Sequence, residues 1–128
     1  MSKHETPLTR LFWESVGGAL IEEFPAVLRG EKNAQRLLDG VIVLGEEKAL
    51  VRHIDLTIKG RDVIVIQTKA SRLSMSLIGQ AVVSAKLIAK FEPNSIRSVA
   101  VCTKGDAVLE ALLPELGVEL FVISSAKK

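Results

Sequence analysis

The stretch that leaves this chain least freedom is "DVIVIQTKAS", residues 62 to 71. Its four consecutive β-branched residues, 63 to 66, put apolar side chains on both faces of an extended strand. Such a strand belongs in the middle of a sheet covered by helices on both sides. The run then stops abruptly at Gln67-Thr68-Lys69. Residues i and i+2 share a face, so an amide and an ammonium project together from the strand end.

The rest of the chain supplies the cover. Residues 7 to 24, "PLTRLFWESVGGALIEEF", are predicted as a first helix, with Thr6 as cap, Pro7 in its first turn and Pro25 ending it. Leu8, Phe12, Val16, Ala19 and Leu20 form its apolar stripe, and "VGGAL" is a packing feature inside it. Residues 26 to 39 fit either a short strand and loop or a second short helix stopped by Gly40. "GVIVL" (40 to 44) is a buried strand, and "VRHIDLTI" (51 to 58) alternates like another, turning through "KGRD" into the strand at 62. A helix over 73 to 91, a strand over 96 to 102, a helix in "GDAVLEALLPEL" opened by Asp106, and a last strand "VELFVI" follow. This order predicts the α/β class: a three-layer α/β/α sandwich with a central mixed sheet, its final units parallel. At 128 residues the chain is expected to be a single domain, 1–128.

Composition mainly excludes. The first ten residues are polar, and the runs "VIVL" and "VIVI" are far too short to span a bilayer, so no secretory signal or membrane association is expected. Cys102 is the single cysteine, which excludes an intramolecular disulfide or a cysteine zinc cage and fits a cytoplasmic setting. Seventeen basic against 15 acidic side chains give +2, which permits nucleic-acid binding without arguing for it. No Gly-x-x-x-x-Gly-Lys loop, Gly-x-Gly-x-x-Gly turn or Gly-x-Ser-x-Gly elbow occurs. His4 and His53 lie at no metal-ligand spacing.

A turn at Gly60-Arg61-Asp62 would set Asp55 opposite Gln67 and His53 opposite Lys69. A carboxylate, an amide oxygen and an ammonium would then meet at the open end of a hairpin. Oxygen ligands hold a hard cation such as Mg²⁺, and a neighbouring ammonium can orient water or stabilise charge developing on a phosphate.

With these residues in place, the chain resembles the PD-(D/E)XK nuclease superfamily. That core is a helix bearing a Glu, then hairpin strands bearing Asp and (Asp/Glu)-x-Lys, then helix and strand. "IDLTIKGRDVIVIQTK" is similar to the hairpin, and Gln for the acid in "QTK" resembles the Mrr-type variant; the similarity spans about residues 7 to 102. No Pro precedes the Asp. The resemblance implies a restriction-endonuclease-like core, Mg²⁺ (or Mn²⁺) as cofactor, DNA as substrate and Lys69 positioning the attacking water. "RLLDGVIVL" also looks like the Asp-bearing strand, so Asp39 and Asp55 both stand as metal ligands beside Gln67. Spacing to Gln67 favours Asp55; the buried run that follows favours Asp39 and makes 45 to 61 an inserted excursion. For the helical acid the resemblance favours Glu23, on the core-facing stripe, as a further metal ligand, then Glu22 at the margin of the stripe; taken alone, a frayed last turn would simply take Glu23 to solvent. Gln80 either faces the same site or is a helix-surface amide, Lys86 and Lys90 either meet phosphates or form a solvated face, and Trp13 reads as a core or interface aromatic.

The expected function is metal-dependent hydrolysis of DNA phosphodiester bonds, with a homodimer or a partner protein supplying specificity. One alternative is a catalytically inactive module of the same fold that binds nucleic acid or protein. Another is a small-ligand α/β domain that uses the strand ends near "CTKGD" (102 to 106).

Overall fold

The computed structural model describes residues 4–124. Helix α1 (Thr6–Val16) leads into strands β1 (Ala19–Val27), β2 (Arg36–Val43) and the two-residue β3 (Ala49–Leu50). Strand β4 (Asp62–Thr68), helix α2 (Met75–Ala89) and strand β5 (Ser95–Cys102) follow, then helical turns α3 (Ala107–Glu110) and α4 (Leu113–Leu116) and strand β6 (Val118–Val122). The strands form one mixed sheet in the order β3-β1-β2-β4-β5-β6. β1, β2 and β4 run antiparallel in turn, and β4, β5 and β6 run parallel. The sandwich and its mixed central sheet are thus as expected. Among the described residues no helix is long and apolar enough to cross a membrane.

The alternation within β4 assigns its neighbours. Ile64 and Ile66 pack on one face with Phe12 and Trp13 of α1, together with Leu20, Ile42, Val99 and Val101. Val63 and Val65 pack on the other face with Ile88 of α2, Val41 and Val43. Leu77, Ile78 and Ala81 extend that layer over Ala100 and Cys102 toward Leu113 and Val118. A stretch of strand with both faces covered needs apolar residues at successive positions, and β4 has them from Val63 to Ile66.

Four expectations are corrected. The first helix ends at Val16 rather than at Phe24, because Gly17 and Gly18 both take positive φ (84° and 81°) and turn the chain into β1. The Gly17 N–H closes the helix on the Trp13 carbonyl at 2.8 Å. Glu22 and Glu23 therefore lie on a strand, and Pro25 sits inside β1, where the register to β2 shifts between Pro25 and Val27. Secondly, "VRHIDLTI" is no strand: it holds a 3₁₀ turn, His53–Asp55, and an extended return that buries Ile58. Thirdly, the antiparallel partner of β4 is β2, with Gly40 paired to Ile66 and Val43 to Val63. Asp55 is therefore not opposite Gln67, and His53 is not opposite Lys69. Pro114 also divides the helix expected after Asp106 into two single turns, although Asp106 caps the first by accepting from the Val108 and Leu109 amides, each at 3.1 Å.

Candidate active site

Continuing the β2–β4 register one step beyond Gly40 and Ile66 sets Asp39 beside Gln67. Here the sheet opens into a cleft of about 660 Å³. Its floor is Gln67, Thr68 and Lys69, at the C-terminal end of β4. One wall is Gln35 to Asp39, and the other is the side of α2 that carries Gln80, Val83, Ser84 and Leu87. Glu5 lines the mouth.

Asp39 is half-buried, and its Oδ2 accepts the Thr68 N–H at 2.8 Å. Burial pushes its pKa up, the Thr68 amide pulls it back down, and the carboxylates of Glu5 and Glu23 push it up further. A carboxylate under this strain is stabilised by any cation that reaches it.

Gln67 is nearly enclosed, at 7% exposure. Its Nε2 donates to Ser84 Oγ at 2.7 Å, a bond that spans from sheet to helix. With the amide nitrogen engaged in this way, Oε1 has no hydrogen-bond partner among the described residues. Lys69 is exposed at the strand end, held by its backbone N–H to Val101 O at 2.9 Å, and its ammonium makes no ion pair among the described residues. Gln80 lines the same cleft from the exposed side of α2.

Glu5 is a site residue that sequence reasoning missed. Its position follows from Gly40: a Cβ there would lie 3.2 Å from both Thr9 Cγ2 and Leu20 Cδ1. Because none is present, α1 settles against β2, and the Thr9 and Thr68 hydroxyls hydrogen-bond at 2.8 Å in the interior. Thr9 also bonds the Glu5 carbonyl through its backbone N–H (3.0 Å) and Oγ1 (3.2 Å). The first turn of α1 is thereby fixed over the cleft. An acid one turn before a small hydroxyl residue at a helix start was the available signal.

The protein donors in the cleft are oxygens, which suits a hard divalent cation. Asp39 and the Gln67 oxygen are the two that the sheet register brings together; no group of three or more His, Cys, Asp and Glu among the described residues is spaced to hold a metal. The set fits such an ion with solvent completing the coordination.

No family model matches the chain, and no curated protein matches it. A solved structure of an EndoMS–double-stranded DNA complex superimposes with a TM-score of 0.58 at 10% sequence identity, covering 100% of this chain and 48% of that one. The chain has a restriction-endonuclease-like fold. It spans about half the length of that neighbour.

Within this fold the other predicted residues fall as follows. Asp55 is exposed on the excursion and pairs with Arg52 at 2.9 Å, apart from the cleft. Glu23 is half-buried on β1 with φ +53°, between the Glu22–Gly40 and Phe24–Leu38 pairs, and so faces Asp39 across the ladder without lining the cleft. Glu22 points to the α1 side, where Arg10 binds it at 2.8 and 2.9 Å. Trp13 is a core residue whose Nε1 donates to Gly18 O at 2.8 Å. His53 packs edge-on against Phe24, and His4 is exposed. Near "CTKGD" the strand end is filled by the β4–α2 connection: Leu73 N–H donates to Lys104 O at 2.7 Å, and Arg72 to Gly105 O at 2.9 Å.

Proposed function

We propose that this chain is a single nuclease-like domain of the PD-(D/E)XK type, in its Mrr-like Gln-x-Lys form, that hydrolyses DNA phosphodiester bonds. One observation carries the reading: Asp39, Gln67 and Lys69 meet at one end of the buried strand β4, inside one cleft. DNA as substrate is supported by the double-stranded DNA complex of the structural neighbour.

A divalent cation, Mg²⁺ or Mn²⁺, would be held by Asp39 and the Gln67 oxygen, with Glu23 or Glu5 adding charge, and would supply Lewis-acid stabilisation of a phosphate. Ser84 keeps the Gln67 amide turned so that its oxygen, not its nitrogen, is the group left for the cleft. The Thr68 amide holds Asp39 in place. Lys69, free of any acid partner among the described residues, orients a water or offsets negative charge growing on the phosphoryl oxygens. A homodimer or a partner protein would supply sequence or structure selectivity.

Lys69→Ala tests the role. It should lower the cleavage rate by about 10²–10³-fold, roughly 3–4 kcal/mol of barrier, while changing DNA affinity little. Equal cleavage by variant and parent would remove Lys69 from the chemistry. The alternative, a non-catalytic DNA-binding module, draws on the replacement of one acid by Gln67 and on the lack of a three-acid group among the described residues. It requires that the parent bind DNA and cleave none.

A further inference from the structure

The cations of this protein are unevenly engaged. Away from the cleft, Arg10 holds Glu22, Arg61 holds Glu46, Arg97 holds Glu119 and Lys59 holds Glu92. The hairpin that joins β1 to β2, residues 28 to 35, and the first residue of β2 instead gather three cations within eight positions. Arg29, Lys32 and Arg36 are all exposed there, and none forms an ion pair among the described residues. A single acid, Glu31, stands among these three cations.

The tip has a definite shape. Gly30 N–H donates to Asn33 O at 3.1 Å, and Asn33 Nδ2 donates to the carbonyls of Leu28 (2.9 Å) and Ala34 (3.2 Å). A Cβ on Gly30 would lie 2.6 Å from Asn33 Oδ1, so a side chain there would have to displace the Asn33 amide. This closed tip presents Leu28 to solvent at 74% exposure, next to Arg29. Its base is continuous with the site, because Gln35, Arg36 and Leu37 form one wall of the cleft. A closed hairpin that shows an apolar side chain among unpaired cations beside a cleft matches a polyanion with an apolar interior surface, which a nucleic-acid groove provides.

We infer that the β1–β2 hairpin is an arm that grips duplex DNA beside the scissile phosphate. Arg29, Lys32 and Arg36 neutralise backbone phosphates, and Leu28 enters the groove against sugars and base edges. The inference rests on the nuclease reading above and adds the surface that holds the substrate.

The test is fluorescence anisotropy of a labelled short duplex without divalent metal, so that no cleavage occurs, over a series of NaCl concentrations. Each phosphate contact contributes about 0.9 to the slope of log affinity against log salt. The triple variant Arg29→Ala, Lys32→Ala, Arg36→Ala should therefore lower that slope by about 2–3 units. Leu28→Ser should weaken binding several-fold with the slope unchanged. Lys59→Ala, at the opposite end of β4, should alter neither. All these side chains are exposed, and unchanged melting curves would establish that the variants fold. A triple variant with the parent's slope and affinity overturns the arm and leaves the nuclease reading intact. A parent that binds no duplex even at low salt overturns both.

Discussion

Burial favours the protonated form of a half-buried carboxylate such as Asp39, so its ionised form weakens the fold at neutral pH. The folded protein holds this proton at higher pH than the unfolded chain does. Stability from Asp39 is accordingly reduced by a constant amount above the raised folded pKa. It recovers as pH falls through that value toward 3.8, the ordinary one. Asn in its place can still accept the Thr68 N–H without carrying charge. Asp39→Asn should therefore raise the melting temperature at neutral pH, lose that advantage well below 3.8, and abolish metal affinity. A variant less stable than the parent at neutral pH would contradict this account of the carboxylate. Beside it, Gln67→Glu should tighten Mn²⁺ binding in calorimetry through added charge, and unchanged affinity would exclude Gln67 as a ligand. Ser84→Ala should strand the buried Gln67 Nε2 at a cost of about 1–3 kcal/mol and weaken Mn²⁺ binding. Ser84→Thr, which keeps the hydroxyl, should restore the affinity. A Ser84→Ala variant that only melts earlier would give Ser84 a purely structural role.

At the scale of elements, the glycine pair between α1 and β1 decides where the first helix stops. Both residues have positive φ, but a Cβ on Gly17 would meet nothing within 4 Å, whereas on Gly18 it would lie 2.7 Å from the Val43 carbonyl. Gly17→Ala should lose about 1 kcal/mol through backbone strain alone, and Gly18→Ala clearly more, since β2 itself must move. Urea titrations of the two variants check this; equal losses would mean that the contact with Val43 does not limit the turn. The same pair explains what the sequence hid. Ala19, Leu20 and Ile21 are all buried because β1 is covered on both faces, and such a run continues a helical stripe as readily as it forms a strand. Two adjacent glycines, each costing about 1 kcal/mol inside a helix, were the contrary signal. The excursion misled for a different reason. Its alternating Leu56 and Ile58 pack under Phe24 and Phe91 as a return loop, so their pattern records burial without pairing. By contrast, β4, α2, β5 and β6 were legible within a residue or two, because β-branched runs and caps specify them locally.

For the whole molecule, the parallel half was readable and the choice of partner for β4 was not. That choice is a contact between residues distant in the chain, Gly40 with Ile66 through Val43 with Val63. The same contact decides which acid meets Gln67, so the correction of one strand pairing carries the candidate site from Asp55 to Asp39. The structural neighbour shares the fold over the full length of this chain with almost no sequence in common, so chemistry here has to be argued from the cleft. The claim that Asp39 and Gln67 present oxygens to one cation can be observed directly. Crystals soaked in Mn²⁺ and measured by anomalous scattering should show a peak within bonding distance of an Asp39 oxygen and Gln67 Oε1, with Lys69 beside it. A peak on Asp55 or elsewhere, or no peak at Asp39 at saturating Mn²⁺, would contradict the account.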